Sequence, residues 1–316
     1  MILFLSVSAK AITLYNTPLS KEQAAKLRSL LQREEYDFDT RPYMLFFAKK
    51  EKVSISVYEK GPKVVIQGKG TEEFVQFLLE PEILGEARLG YEEVLQPELF
   101  EPHFGVDESG KGDFFGPLVI AGVYVDASLA RTFKDIGVTD SKRITSDNRI
   151  RTLAAGIRKS RAPHSVVTIS PERYNALFEK IGNLNRLLAW GHARIIENLC
   201  ELRPDCPRAL SDKFANGSVL EKALMERGRS LQLDQRTKAE SDFAVAAASI
   251  LARESFIGWL EAAGTRTGIP LGRGVSASVK ATARRIVAEG GRDALAAVAK
   301  MHFKTSAEVL NSEDGT

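Results

Sequence analysis

Two adjacent acidic residues, Asp107 and Glu108, lie in a glycine-rich segment with the sequence GVDESGKGDFFGP. Carboxylates are common protein ligands of Mg²⁺, which also keeps several waters and takes substrate phosphate oxygens. Adjacent residues on a regular strand face opposite ways, so we expect the glycines that follow to break the strand and let both carboxylates reach one site. An apolar run just beyond the glycines, LVIAGVYVD, favours such a site over a solvated turn.

The same segment must be compared with a phosphate-binding P-loop, because Gly105 to Lys111 fits the pattern G-x-x-x-x-G-K. The next residue is Gly112, where that motif needs Ser or Thr to hold magnesium. Asp107 and Glu108 would place negative charge inside the phosphate cradle. A P-loop also opens a helix, whereas the residues that follow here have a strand-like pattern. The P-loop interpretation is therefore the weaker one.

Hydrolysis of a phosphodiester with two metal ions needs carboxylates from several parts of a fold. Asp212 ends the short apolar strand RALSD, a place where ligand-binding residues of open sheets commonly lie, although a simple turn is an equal alternative. Glu240 opens an alanine-rich helix, but Thr237-x-x-Glu240 is also a capping box, so this carboxylate could instead bind its own backbone. Asp242 is the rival ligand. It lies about 200° further round a regular helix, so Glu240 and Asp242 cannot both face one metal.

These segments together resemble ribonuclease HIII, the type 3 family of ribonucleases H. The resemblance spans about residues 104–305 and rests on DESGKGDFFGP, LSDKF and TKAESDFAVAAASILAR, with NLNRLLAWGHA and MHFK also similar. It implies an RNase H-like fold and an Asp-Glu-Asp-Glu set of catalytic metal ligands. It favours Glu240 over Asp242, because type 3 members have glutamate where type 2 relatives have aspartate. The implied ligands are Asp107, Glu108, Asp212 and Glu240.

The resemblance also implies an activity and a set of substrate contacts. The activity is endonucleolytic hydrolysis of the RNA strand of RNA–DNA hybrids with Mg²⁺ or Mn²⁺, leaving 5′-phosphate and 3′-hydroxyl ends. The family's glycine loop contacts the RNA strand, whose 2′-hydroxyls distinguish RNA from DNA. A non-catalytic nucleic-acid-binding protein is the alternative. The implied substrate-binding residues are Gly110, Lys111, Gly112, Ser141 and Lys142.

The elements that must position these residues follow an α/β pattern. From Phe104 onward strands alternate with helices, which is typical of an α/β domain. Residues 118–126 are almost continuously apolar, as expected inside a sheet. The predicted fold is an RNase H-like catalytic domain with a central mixed sheet flanked by helices. Its helices are predicted at 146–159, 172–201 (weakened at Gly182), 239–261 and 276–300, with strands at 166–169 and 209–211.

The N-terminal residues have a different pattern, which predicts a small α+β unit in the order β-α-β-β-β-α. Ser20 and Gln23 form a capping-box signal before its first helix, and the strands are predicted at 2–8, 43–47, 53–58 and 63–67. This unit resembles the TATA-binding-protein-like domain that precedes the catalytic domain in the family. The predicted domains are 1–90 (substrate-binding), 91–103 (linker) and 104–310 (RNase H-like, catalytic).

Composition alone does not identify a nucleic-acid-binding protein, since the net charge of the 316 residues is only +3. Local basic clusters are therefore the candidates for holding a hybrid, and Lys213 and Lys238 could lie near the cut. The chain lacks a signal peptide pattern or a run of about 20 apolar residues, so we expect a cytoplasmic monomer with no membrane partner. The clusters are Lys142, Arg143, Arg149, Arg151, Arg158, Lys159 and Arg161, and Lys49, Lys50, Lys52, Lys60, Lys63 and Lys69.

The cysteine and histidine residues suggest no metal site. Cys200 and Cys206 form a single pair without nearby histidines, which does not fit a zinc site and indicates reduced thiols in a reducing compartment. The four histidines are scattered along the chain, and each is predicted to be structural. They are His103, His164, His192 and His302.

Overall fold

The computed structural model describes residues 12–86, 96–212, 217–224, 227–237 and 239–311. The predicted strand at 2–8 and Lys213 and Lys238 lie outside the described residues, as do residues 91–95 of the predicted linker. The chain forms two compact units, Met1–Glu98 and Leu99–Thr316.

The N-terminal unit has one five-stranded antiparallel sheet, with the helices against its buried face. Helix α1 (Lys21–Arg33) begins with the predicted capping box of Ser20 and Gln23. The last helix, α2 (Thr71–Phe74), continues as a π-helix over Val75–Leu84. The strands are β1 (Leu14–Pro18), β2 (Asp37–Asp39), β3 (Met44–Lys50), β4 (Val53–Tyr58) and β5 (Lys63–Gln67).

Among the described residues, this unit has two strands that the sequence did not predict. Three strands agree with the prediction, but β1 and β2 were not expected. Both occupy the edges of the sheet, in the order β1-β5-β4-β3-β2. Edge strands are short and polar because one side of their backbone and often one face remain in water, and the sequences LYNTP and DFD therefore carry little apolar periodicity.

The second unit is built on the mixed sheet that the sequence predicted. Its order is β10-β9-β6-β7-β8. The central strand β6 is antiparallel to β7 and parallel to β9, and β10 is also parallel to β9. The strands are β6 (His103–Ser109), β7 (Leu118–Val125), β8 (His164–Ile169), β9 (Arg208–Asp212) and β10 (Gln232–Arg236).

Helices cover both faces of this sheet. Helix α8 packs across β6 and β7 on one face, and α6 packs on the other, each with its own apolar cluster. The first half of helix α8, residues 244–252, is buried on all sides and runs through the core, which is where such an apolar segment is stable in a globular protein. The helices are α3 (Ala127–Ile136), α4 (Asp147–Lys159), α5 (Pro171–Ile181), α6 (Leu184–Leu202), α7 (Gly217–Ala223), α8 (Phe243–Thr267), α9 (Ala277–Ala296) and α10 (Lys304–Leu310).

Helix α8 is also the one helix of the described part of the chain whose length and composition would suit a membrane span. Its most apolar 18-residue window has a mean hydropathy of 1.4, and 67% of that window is buried within the protein. It is therefore accounted for as the core helix of this unit.

Several predicted helix boundaries were wrong. The helix predicted at 172–201 is two helices, because Gly182 ends α5 in a left-handed conformation and Asn183 caps the start of α6. The helix predicted at 276–300 ends at Ala296 and has a break at Gly291. Helix α3, capped by Asp126, was missed. The helix predicted at 239–261 begins at Phe243 and continues to Thr267.

Candidate active site

The parallel pairing of β6 and β9 brings three of the predicted carboxylates to one edge of the sheet. Val106 is opposite Ser211 in the register, so Asp107 and Asp212 follow side by side at the ends of their strands. A cleft of about 410 Å³ opens at this edge. Every predicted site residue lines it except Glu240, which reaches the cleft through Lys142.

Asp107 and Glu108 lie on opposite faces of β6, although the strand ends directly before Gly110 and both carboxylates reach the cleft as expected. The strand continues to Ser109, so the two side chains alternate as in any strand. Asp107 lies on the side of α8, near Ser249. Glu108 lies on the side of α6, where its Oε2 is 3.0 Å from His192 Nε2. Both carboxylates still line the cleft because they lie near the end of β6, where only Ser109 follows them in the strand.

His192 was predicted to be only structural, and the structure places it in contact with the candidate site. Its Nε2 donates to Glu108, and its Nδ1 lies 3.0 Å from Ser211 Oγ on β9. The ring is fully buried and so links α6 to the ends of two neighbouring strands. No spacing rule connects His192 with a glutamate 84 residues earlier, although NLNRLLAWGHA belongs to the segments that resemble the family.

Glu240 and Asp242 have clearly different surroundings. Glu240 lies in a 3₁₀ turn, Ala239–Ser241, before α8 begins, and its Oε1 forms an ion pair with Lys142 Nζ. Asp242 is the N-cap of α8 and accepts hydrogen bonds from the backbone of Ala244 and Val245. The cap of α8 is therefore Asp242 and not the box of Thr237 and Glu240 that the sequence offered as an alternative role for Glu240.

The second partner of Asp242 is His103, whose Nε2 lies 2.9 Å from Asp242 Oδ2. Both side chains are almost completely buried. Because the cap and this pair occupy both of its oxygens, Asp242 is bound within the protein, whereas the Glu240 side chain pairs with a lysine that is two-thirds exposed. Of the two rivals, Glu240 is the better placed to bind an external cation.

The turn that carries Ser141 and Lys142 is held against α8. Ser141 Oγ lies 2.7 Å from Ser249 Oγ, and Arg253 donates to the Ser141 carbonyl. Asp140 caps the turn by accepting from the Lys142 backbone. The Lys142 side chain therefore extends from a fixed base toward the carboxylates.

The electrostatics of the cleft indicate an excess of negative charge. Burial and the neighbouring Glu108 raise the pKa of Asp107 to about 8. Burial and the charge of Glu240 also raise the pKa of Asp212. Burial acts to raise the pKa of Glu108, but His192 and Lys111 together outweigh it and the pKa is lowered. For Glu240, burial is likewise outweighed by Lys142.

Asp107 provides the test of whether a cation fits. Its Oδ1 accepts from the Glu108 backbone at 2.8 Å, but its Oδ2 is buried and accepts no hydrogen bond from the residues that the structure describes. Such an oxygen normally has a partner. A divalent cation would provide that partner and would also offset the charge that raises the pKa of Asp107. The donor set of carboxylates suits a hard cation.

The carboxylates are not gathered into a ready-made cage. Among the described residues, no three His, Cys, Asp or Glu side chains form a compact metal-binding group. Glu108 is 3.4 Å from Lys111 Nζ, and Glu240 is paired with Lys142. Magnesium commonly binds through one or two carboxylates plus substrate phosphates, so an open, lysine-balanced arrangement is compatible with it.

Stability in the presence of a chelator should depend on pH through Asp107. Its folded-state pKa of about 8 exceeds the ordinary 3.8, so between these values the folded state holds a proton that the unfolded state has lost. The free energy of unfolding therefore falls as pH rises from about 4 to about 8, and Asp212 acts in the same direction. Thermal unfolding with EDTA should show this decline, and Asp107→Asn should flatten it by roughly 10 °C or more across the range. A variant with the same pH slope as the parent would contradict it.

The predicted basic cluster at 142–161 is partly neutralised. Arg151 pairs with Glu261 and Arg158 with Glu254, while Arg149 donates to the Ile136 carbonyl. These arginines are therefore poorer candidates for phosphate contacts than the sequence suggested. Cys200 and Cys206 are free and buried, and burial raises the pKa of both thiols to about 11.

Comparisons with known proteins agree with this fold. Residues 104–306 match the family model described as Ribonuclease HII, and residues 17–87 match the one described as Domain of unknown function (DUF3378). The chain is 41% identical to the ribonuclease HIII of Protochlamydia amoebophila, over 93% of this chain and 96% of the relative. It is 43% identical to that of Chlamydia trachomatis serovar L2, with 93% and 96% covered.

Solved structures give the same result. The structure of Bst-RNase HIII in complex with Mn²⁺ matches with a TM-score of 0.66 at 28% identity, covering 95% of this chain and 99% of the other. The RNase H3 of Aquifex aeolicus matches with a TM-score of 0.54 at 26% identity, covering 92% and 100%. Each similarity extends over both units of the chain.

Proposed function

This chain belongs to the ribonuclease HIII family and is a ribonuclease H that cuts the RNA strand of RNA–DNA hybrids, and from that premise we propose that Asp107, Glu108, Asp212 and Glu240 hold its divalent cations. The observation that carries the assignment is the buried, unpartnered Oδ2 of Asp107 at the edge where β6 and β9 end side by side. The relatives are named as enzymes, so a non-catalytic binding protein is not favoured.

The four acidic residues have distinct tasks in this proposal. Asp107 and Asp212, on neighbouring strands, would hold a cation between them and the scissile phosphate. Glu108, fixed by His192, and Glu240, on the turn before α8, would complete the set from either side. Cations of this kind supply Lewis acidity at phosphorus and a nucleophilic water at neutral pH. The expected products carry 5′-phosphate and 3′-hydroxyl ends, with no covalent intermediate.

Two lysines would balance the charge of the site and meet the substrate. Lys142 lies between Glu240 and the charges of Asp107 and Asp212, and although its partial burial acts to lower its pKa, Glu240 outweighs this and raises it. Lys142 therefore stays protonated and can contact a phosphate. Lys111 pairs with Glu108 at 3.4 Å and lies within the glycine loop. Ser141 fixes the base from which Lys142 extends.

The loop Gly110-Lys111-Gly112 is proposed to contact the RNA strand around the cut. Gly110 has a positive φ of 87°, and a Cβ there would lie 2.2 Å from the Pro117 carbonyl oxygen. Gly112 has open space around its Cα. Gly112 is exposed whereas Gly110 is buried, so it is the backbone of Gly112 that can approach ribose hydroxyls closely, the groups that distinguish RNA from DNA.

Cleavage of a labelled RNA–DNA hybrid is the test of the whole assignment. With Mg²⁺ or Mn²⁺ the chain should cut the RNA strand and leave single-stranded RNA, double-stranded RNA and duplex DNA intact. EDTA should stop cleavage. Hybrid binding without scission in either metal would contradict the proposal, and the comparison of rates would show which metal is preferred.

The N-terminal unit is proposed to bind the hybrid through the polar face of its sheet. Lys49 is opposite Ser54, and Tyr58 is opposite Lys63, while the other face is occupied by the apolar core. Both lysines are exposed. The proposed division of the chain remains 1–90 for this domain, 91–103 for the linker and 104–310 for the catalytic domain.

Replacing Lys49 and Lys63 by Gln should weaken hybrid binding and flatten its salt dependence. Each lost phosphate contact lowers the slope of log K against log salt by about 0.9. Fluorescence anisotropy over a series of salt concentrations measures this slope. The matched control is Lys21→Gln with Lys26→Gln, which removes the same charge from exposed positions on α1. Equal slopes for the two double variants would show that this face of the sheet does not contact the hybrid.

We further propose that the enzyme acts as a monomer in the cytoplasm, with no membrane partner. Two buried thiols with raised pKa values are stable in a reducing compartment. Light scattering of the purified protein tests the monomer, and fractionation of cells tests the compartment.

A further inference from the structure

A completely buried lysine, Lys300, lies beneath the glycine loop. Its Nζ donates to two backbone carbonyls, those of Asp113 at 2.9 Å and Gly116 at 2.7 Å. These carbonyls flank the turn that returns the chain from the loop at 110–112 to β7. Lys300 is 187 residues from Asp113 in the sequence, so the contact joins the C-terminal part of the unit to the loop.

The backbone around Lys300 pairs with the same turn. Its own N–H donates to the Phe114 carbonyl at 2.9 Å, and the Gly116 N–H donates to Val298 at 2.9 Å. Phe115 and Ala299 form a β-bridge. The side chain of Lys300 therefore acts from a segment whose position relative to the turn is already fixed.

Phe256 on α8 supports the loop from below. Gly110 and Gly116 both have positive φ, 87° and 85°, and a Cβ at either position would come within 2.9 Å of the Phe256 ring. The two glycines thus rest directly on this ring. Asp113 adds a contact at the side, since its Oδ1 accepts from the Gly274 backbone at 2.6 Å.

Burying the amine of Lys300 costs free energy of desolvation, which an apolar side chain at this position would avoid. The presence of a lysine therefore indicates that its hydrogen bonds have a role. The Nζ lies 5.8 Å and 6.0 Å from the ring centroids of Tyr174 and Phe256. Burial lowers the pKa of Lys300 to about 7, despite the nearby charge of Asp113. Both of its acceptors are carbonyls, and a neutral amine as well as an ammonium can donate to two of them.

We propose that Lys300 is a positioning residue for RNA binding, which sets the height and orientation of Gly110-Lys111-Gly112 by holding both ends of the turn that follows them. The inference rests on the proposed contact of that loop with the RNA strand. Lys300 touches neither substrate nor cation. Its loss should therefore affect how well a ribose is bound near the cut and leave the carboxylate chemistry in place.

The test is the Lys300→Met variant of the full chain, which keeps the length of the side chain and removes both donors. Steady-state cleavage of a hybrid should show KM raised about tenfold, the equivalent of one or two modest hydrogen bonds, with kcat within about threefold of the parent. Lys304→Met is the control, since Lys304 is an exposed lysine four residues later. Circular dichroism and melting temperature verify that each variant is folded.

A second measurement separates positioning from general loss of stability. Hybrids with single 2′-deoxy substitutions near the cut are compared with the all-ribose strand. The parent should bind the substituted strands less well at the nucleotides that the loop contacts, and Lys300→Met should lose most of that discrimination. If Lys300→Met does not fold, Asp113→Ala, which removes the side contact with Gly274, should shift KM and the discrimination in the same direction by a smaller factor.

The outcomes distinguish the two proposals. A parent enzyme that is indifferent to every 2′-deoxy substitution would remove the loop's proposed role, and the role of Lys300 with it. A sensitive parent with an equally sensitive Lys300→Met variant would overturn the role of Lys300 alone. So would a variant whose kcat falls while KM is unchanged, because that would place Lys300 in the chemistry.

Discussion

Asp107→Asn should reduce cleavage of an RNA–DNA hybrid by about 10³-fold, since a catalytic cation contributes several kcal/mol to the transition state and this variant removes its central anchor. The amide keeps the size of the side chain and can still accept from the Glu108 backbone. The amide is uncharged, however, and therefore binds a cation less tightly than the carboxylate does. Binding of the hybrid should stay within about threefold, because the substrate contacts in the cleft come from the glycine loop and Lys142.

Single-turnover cleavage and anisotropy measure these two quantities separately. Asp205→Asn is the matched control, because Asp205 is an exposed aspartate paired only with Arg203 on the surface and should leave both quantities unchanged. Full activity of Asp107→Asn would refute the proposed ligand set. Loss of binding in parallel with loss of cleavage would instead place Asp107 in substrate contact.

Glu240→Gln should lower cleavage activity and keep stability, whereas Asp242→Ala should lower stability and keep cleavage activity. Glu240→Gln should lower cleavage by about 10²-fold, as expected for losing one charged partner of a cation. Its stability should remain near that of the parent, because the ion pair lost is with a largely exposed lysine and such pairs contribute little.

Asp242→Ala should keep the chemistry and lose stability. It removes the N-cap of α8, which contributes about 1 kcal/mol, and leaves His103 buried without its partner, which costs about 3 kcal/mol. For a unit of this size we expect a melting temperature lower by about 10 °C, with cleavage near normal at low temperature.

Thermal melts and cleavage at a temperature well below both melting points decide between the two residues. The proposal is that Glu240 binds the cation and that Asp242 stabilises the fold. A stable but inactive Asp242 variant together with an active Glu240→Gln would exchange these assignments.

Much of the site follows from local sequence. Asp107, Glu108 and Asp212 stand where apolar strands end, and strand ends are recognisable from hydropathy. Their meeting is not recognisable in this way, because it depends on the parallel pairing of β6 with β9 across about a hundred residues. The resemblance to a family supplied that connection.

Other features could not be predicted for physical reasons that differ from case to case. Before α8, only Thr237 with Glu240 was considered as a cap, whereas Asp242 is the cap in the structure. Asp242 is also held by the buried His103, which comes from another element and could not be read from local sequence. The roles of His192 and Lys300 depend on contacts 84 and 187 residues away. Strands β2 and β10 are short and polar, so they lack the periodicity on which strand prediction depends.

The support of the glycine loop by Lys300 has a consequence for synthesis on the ribosome. Translation proceeds from the N-terminus, and domains form as their residues become available. All four acidic residues precede Lys300, and Asp113, at the start of the turn, is made 187 residues before the lysine that holds it. On the proposed role of Lys300, a nascent chain carries the cation-binding residues before it carries the contact that positions the glycine loop for the RNA strand. Selectivity is thus completed last, when residues 298–303 have left the ribosome and joined the turn.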